Sequence, residues 1–246
     1  MPQKLKVGAV SYLNTKPLIY GFEQGMMKEE LELRIDYPSK IANELSDGQI
    51  DIGLVPVAIL PQLKEFYIVG DYCISCNGPV ASVCLYSDVP VESIECIYLD
   101  YQSRTSVELL KILLRDYWKQ YPELIAANPG FEHTIKGTTA ALIIGDRALD
   151  VYDQYAYRYD LGEIWKMHTG LPFVFAAWIS SSPVTASFTN QFNAANAFGF
   201  THLDEVINGV HHPSYDMKTY YTKNIEFKLN EDKRKAIDLF LQCIQS

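Results

Sequence analysis

The 246 residues carry 21 lysines and arginines against 30 aspartates and glutamates, a formal net charge of −9, and are 48% hydrophobic and 21% charged. At roughly 150 residues per domain this length holds one large or two small domains, and the composition is globular rather than disordered or fibrous. The acidic balance argues against nucleic acid as a partner, because neutralising phosphates takes a basic surface, and the longest apolar runs fall far short of the ~20 residues of a membrane span.

Along the chain, strand-like and helix-like segments alternate. Leu5 to Val10 is a short apolar strand, and Asn14-Thr15-Lys16-Pro17 opens a helix, a capping side chain with proline in the first turn. Leu31 to Tyr37 alternates as a half-buried strand does. Ser39 reads as the next cap, Ile41, Ala42 and Leu45 as an apolar helix face, and Gly48 as its end. Asp51 to Val57 is a buried strand, completing a βαβ unit. The pattern recurs: strand Cys96 to Leu99, polar turn Ser103 to Ser106, then Val107, Leu110, Leu113, Leu114 and Tyr117 at helical spacing. Ala140 to Ile144 and Phe173 to Ile179 are further buried strands, and Ala194 to Phe198, Leu203 to Ile207 and Ala236 to Ile244 have helical periodicity, the last capped by Asn230.

Two βαβ-like centres predict an α/β protein of two lobes, each a mostly parallel sheet flanked by helices, with a ligand cleft between them. Residues 1–85 plus 180–246 are expected to form one lobe and 86–179 the other, with hinge crossings near 82–87 and 178–182. The first residues, Met1 to Val7, show no apolar stretch or cleavage site of a secretion signal, which predicts a cytoplasmic protein with reduced cysteines. Cys73 and Cys76 form a C-x-x-C, but no second ligand pair follows, and Cys84 and Cys96 sit among apolar residues. The cysteines therefore read as small buried hydrophobes, and no metal is expected.

Polar residues at the C-terminal ends of the strands are the candidates for function, because helix N-termini there offer free N–H groups and a positive dipole end. They are Ser11, Tyr12, Asn14 and Thr15 after the first strand, Ser39 after the second, Ser103-Arg104-Thr105-Ser106 opening a helix, and Gly145-Asp146 after a buried strand. Asn77, Gly78 and Ser82 lie near the proposed crossing. Thr15 and Ser39 are equally well explained as caps and Asn77-Gly78 as a turn. Three hydroxyls and an arginine exceed what capping requires, and a guanidinium beside helix N–H groups suits a carboxylate. A surface ion pair of Arg104 with Asp100 or Glu108 is the competing reading. Phe175 and Trp178 are either cleft or core, and His211-His212 reads as a solvated loop pair. Nucleotide-binding glycine motifs, the esterase elbow and H-E-x-x-H are absent from the sequence.

The segments Val7 to Leu18 (V-G-A-V-S-Y-L-N-T-K-P-L), Pro38 to Ala42, Asp51 to Pro56, Asn77 to Val83, Ser103 to Val107, Ile144 to Leu149, Tyr159 to Trp165 and Thr169 to Ala176 resemble, in order, the chorismate dehydratase family of the futalosine route to menaquinone. The sister family, which cyclises dehypoxanthine futalosine, opens differently. The resemblance implies a type II periplasmic-binding-protein fold used as a cytosolic enzyme. It implies loss of water from chorismate, a small dianion, to give 3-[(1-carboxyvinyl)oxy]benzoate, with no metal or organic cofactor. It places Asn14 and Ser82 at the reacting ring and Arg104 with Ser103, Thr105 and Ser106 on one carboxylate. Asn14 is not basic, so its role is to orient the C4 hydroxyl or stabilise an enolate-like intermediate. Asp146 is a candidate proton acceptor; capping, pairing with Arg147, or proton removal by the substrate's own carboxylate are the alternatives. A solute-binding receptor of the same fold and a ligand-sensing domain are the competing functions.

Overall fold

A computed structural model describes residues 4–245 as two β-sheets, each flanked by helices. The first contains β1 (Leu5–Val10), β2 (Leu31–Asp36), β3 (Ile52–Pro56) and β4 (Tyr67–Cys76), and it takes in β10 (Phe173–Ser180) and β11 (Glu226–Lys228) in the order β11-β4-β10-β3-β1-β2. The second is β5 (Val83–Ser87), β6 (Cys96–Leu99), β7 (Glu123–Ala126), β8 (Thr139–Ile144) and β9 (Tyr157–Asp160), in the order β7-β6-β8-β5-β9. The βαβ unit read from the sequence is present: β1 lies parallel to both β2 and β3, with α1 (Lys16–Glu23) and α2 (Pro38–Ser46) as its connections.

Two expectations need correction. The sheets are mixed rather than mostly parallel, because β10 runs antiparallel to both β3 and β4 and β5 antiparallel to both β8 and β9. The chain leaves the first sheet at the end of β4 and re-enters it along β10, so those two strands must oppose each other. For the same reason β10 belongs to the first sheet and β5 to the second. The crossings are therefore residues 77–82 and 170–172, not 82–87 and 178–182.

Helices cover the sheets as their apolar faces dictate. The first sheet's outer face is closed by α1 against α6 (Ala186–Thr201), where Phe22, Trp178 and Phe192 meet edge-to-face or tilted with centroids 5.0–6.3 Å apart. Trp178 is thus core, its indole N–H donating to Asn196 Oδ1 at 3.0 Å. The C-terminal helix α9 (Glu231–Gln245), its N-terminus capped by Asn230 Oδ1 accepting from Lys233 N–H, bridges both sheets. Its Phe240 packs on Phe173 of β10 and on Trp165 of α5 (Leu161–Thr169), which flanks the second sheet. Cys73, Cys76 and Cys84 are buried and unpaired; burial pushes the Cys73 thiol up to about 11, so it stays protonated and inert.

Candidate active site

The strand ends meet in one cleft between the sheets. It is lined by Val10, Tyr12 and Asn14 beyond β1, by Pro56 at the end of β3, and by Val80, Ser82 and Val83 at the first crossing. Gln102, Ser103, Thr105 and Ser106 after β6, Ile144 and Gly145 around the end of β8, Pro38 on α2, Ile74 on β4, and Phe175 and Ala176 on β10 complete the wall. The atom-free space of the cleft, open mouth included, is about 550 Å³. Of the expected residues it brings together Tyr12, Asn14, Ser82, Ser103, Thr105, Ser106 and Gly145, and no lysine, arginine or histidine is among its lining residues.

Each wall has a local cause. Helix α3 (Thr105–Ile112) aims its N-terminus into the cleft, and Ser103 Oγ accepts from Ser106 N–H at 3.0 Å. The Thr105 hydroxyl accepts from Ala58 N–H at 3.2 Å, tying the helix to the opposite lobe. Gly145 has φ +65°, and a Cβ there would stand 3.1 Å from the Tyr12 ring, so glycine lets that ring close over the end of β8. The Tyr12 hydroxyl donates to Gln102 Oε1 across the cleft, and burial raises its pKa. Ser82 follows Ala81, whose φ is +64°, in a turn held by the Asp160 carboxylate. That carboxylate accepts from Val80 N–H (3.0 Å) and Ala81 N–H (2.7 Å) while also capping α5.

Other candidates lie elsewhere. Arg104 is not among the lining residues and donates to Asn43 Oδ1 at 2.8 Å on α2. The guanidinium that pairs with Asp100 is that of Arg147, at 2.7 Å, sandwiched by Tyr101 and Phe131. Asp146 does not line the cleft; its carboxylate accepts from Leu13 N–H at 3.1 Å, joining the lobes, and burial pushes its carboxyl above the usual range. Ser11 is exposed, and Asn77 and Gly78 form the turn leaving β4. Ser39 sits inside the first turn of α2 because Pro38 takes the N1 position, and Tyr37 is the cap residue. Thr15 holds the cap position of α1 without a capping bond, its hydroxyl donating to Asn14 Oδ1 at 3.3 Å. His212 is not solvated: its side chain is 6% exposed and faces Asp150 at 3.3 Å.

Comparison with known proteins places this cleft in context. The menaquinone biosynthesis family profile matches residues 5–246. The chain belongs to that family. It is 25% identical to chorismate dehydratase of Thermus thermophilus over 97% of this chain and 94% of that protein. Among solved structures, a structural-genomics protein of Archaeoglobus fulgidus superposes with a TM-score of 0.71 at 14% identity, covering 98% of this chain and 97% of that one. The periplasmic aliphatic sulphonate binding protein of Escherichia coli superposes with a TM-score of 0.65 at 16% identity, covering 100% and 86%. The menaquinone-family chain therefore has a periplasmic-binding-protein-like fold, and its cleft lies between the two sheets. Among its described residues no helix is long and apolar enough to cross a membrane.

Sequence reading missed Gln102 and the tyrosines behind the cleft, Tyr220 and Tyr221. Gln102 stands at a strand end and was legible by the same rule as its neighbours. The tyrosines carry no local signal, because they arrive from more than 130 residues away, Tyr220 on Ser82 and Tyr221 on the Leu13 carbonyl.

Proposed function

We propose that the protein is a chorismate dehydratase, removing water from chorismate to give 3-[(1-carboxyvinyl)oxy]benzoate in the futalosine route to menaquinone. The observation that carries this reading is the convergence of Asn14, Ser82 and the α3 hydroxyls in one cleft of a menaquinone-family chain. Chorismate has two carboxylates and a leaving hydroxyl at C4. The N-terminus of α3, with Ser103, Thr105 and Ser106, offers N–H and O–H donors for one carboxylate without a formal cation. Asn14 and Ser82 then face the ring. The C3 proton is vinylogously acidified by the ring carboxylate, and its removal with loss of the C4 hydroxyl makes the ring aromatic. No electrons are transferred, so the elimination is proposed to need neither metal nor organic cofactor. Donors set where charge accumulates lower the barrier. With Asp146 turned to Leu13, the substrate's own enolpyruvyl carboxylate is the proposed proton acceptor. The lobes are proposed to part about residues 77–82 and 170–172 to admit substrate, and the free cysteines suit a cytosolic enzyme.

Incubation of the purified protein with chorismate alone, followed by chromatography, tests the reading. Repeated turnover to an aromatic dicarboxylate is expected. Stoichiometric retention of chorismate without product would make the protein a binding receptor, and activity only on dehypoxanthine futalosine would make it the sister cyclase.

A further inference from the structure

Ser82 is held from every side except at its hydroxyl. Its N–H donates to Val80 O and its carbonyl accepts from Gly145 N–H, both at 2.8 Å, while Asp160 pins the two residues before it. The residue is 1% exposed. Among the described residues the one side chain that hydrogen-bonds its Oγ is Tyr220, whose hydroxyl donates at 2.8 Å from a fully buried ring. Tyr220 is itself fixed there. It follows α8 (Met217–Thr219), which Asp216 caps through Thr219 N–H, and four residues later Asn224 donates to Pro79 O at 3.1 Å on the same crossing. Asn14, which lines the same cleft as Ser82, takes the Thr15 hydroxyl on its Oδ1 at 3.3 Å.

We propose that Tyr220 is a positioning residue for the dehydration: its buried phenol holds the Ser82 oxygen and directs the Ser82 proton into the cleft. A serine hydroxyl has one proton and two lone pairs. With one lone pair occupied by the Tyr220 proton, and no acceptor for the serine proton among the described residues, that proton is left for the ligand, at the wall of the cleft that Ser82 and Asn14 line. A buried tyrosine hydroxyl needs a partner in any case; this partner lies at the candidate active site. The direction runs from phenol to serine to substrate, which makes Ser82 a hydrogen-bond donor toward the leaving hydroxyl or the developing enolate. Burial raises the Tyr220 pKa, so the phenol keeps the proton it donates.

The inference rests on the dehydratase reading. Its test is Tyr220→Phe, which removes one oxygen and no ring volume, with Ser82→Ala and the double variant assayed beside the wild type on chorismate. The expected fall in kcat for Tyr220→Phe is about 10- to 100-fold, with KM and the dissociation constant of the aromatic product within about threefold of wild type. The double variant should lie within about twofold of Ser82→Ala alone, since both changes break one relay. An unchanged kcat in Tyr220→Phe overturns the proposal, and so do multiplicative losses in the double variant or a product affinity that falls in step with kcat. If the wild type is inert on chorismate, the dehydratase reading fails first and takes this one with it; an active wild type with an equally active Tyr220→Phe overturns this one alone.

Discussion

Asn14 illustrates how a side chain acquires a role from its neighbours. An amide neither takes nor gives a proton in catalysis, yet Asn14 lines the same cleft as Ser82. Asn14→Ala should therefore lower turnover of chorismate by at least about tenfold, and a rate within about threefold of wild type would remove Asn14 from the reaction. Asp146 makes the opposite case. Its carboxyl is raised by burial, so the folded protein binds that proton more tightly than the unfolded chain, in which aspartate titrates near ~3.9. Between those two values stability falls as pH rises, and above them the full cost of the buried charge is present. Asp146→Asn keeps an oxygen for Leu13 N–H and removes the charge. Its Tm should equal or exceed that of wild type at pH 7, with the difference closing as pH approaches 4. Turnover that survives this substitution would end the idea of Asp146 as proton acceptor.

The elements are joined at places where the local pattern alone shows nothing unusual. Helices α1 and α6 cross so closely that a Cβ on Gly199 would lie 1.9 Å from Pro17 O. Gly199→Ala must push the helices apart and is expected to cost about 1–3 kcal/mol, read as a lower Tm; an unchanged Tm would mean that the crossing opens freely. The ends of β6 and β8 are tied by Asp100, whose side chain has no exposed surface. It accepts from Gln102 N–H and Ile144 N–H and takes both of its oxygens to Arg147. Because Gln102 and Ile144 both line the cleft, this pair sets the wall as well as the stability. Arg147→Met strands a buried carboxylate and should cost about 3–5 kcal/mol in chemical denaturation. A loss below about 1 kcal/mol would show that the two backbone donors suffice.

At the level of the whole molecule, closure of the cleft includes cross-lobe hydrogen bonds from Ala58 N–H to Thr105, Leu13 N–H to Asp146, Tyr12 to Gln102 and Arg104 to Asn43. The donors and acceptors of the first three come from strand ends on opposite sheets, so a bound ligand is expected to stabilise the closed form. The aromatic product at a hundredfold over its Kd should add about 2.7 kcal/mol to stability. Thr105→Val, equal in size but without the oxygen, should weaken that binding roughly tenfold; an unchanged Kd would exclude the α3 terminus from the ligand site. The periodicity of residues 5–57 determined β1, α1, β2, α2 and β3, because short-range patterns of burial decide such elements. The strand-end rule also picked out Tyr12, Asn14, Ser103, Thr105, Ser106 and Gly145, because the ends of the strands in a βαβ unit must face a common edge. The sequence by itself thus determined the two-lobed α/β class and most of one cleft wall. Only the tertiary structure decided that β10 returns to the first sheet, that Arg104 donates to Asn43 while Arg147 takes Asp100, and that Tyr220 meets Ser82. Strand exchange, the choice among competing ion-pair partners and a contact across 138 positions are settled by packing in three dimensions, and none of these leaves a periodic trace along the chain.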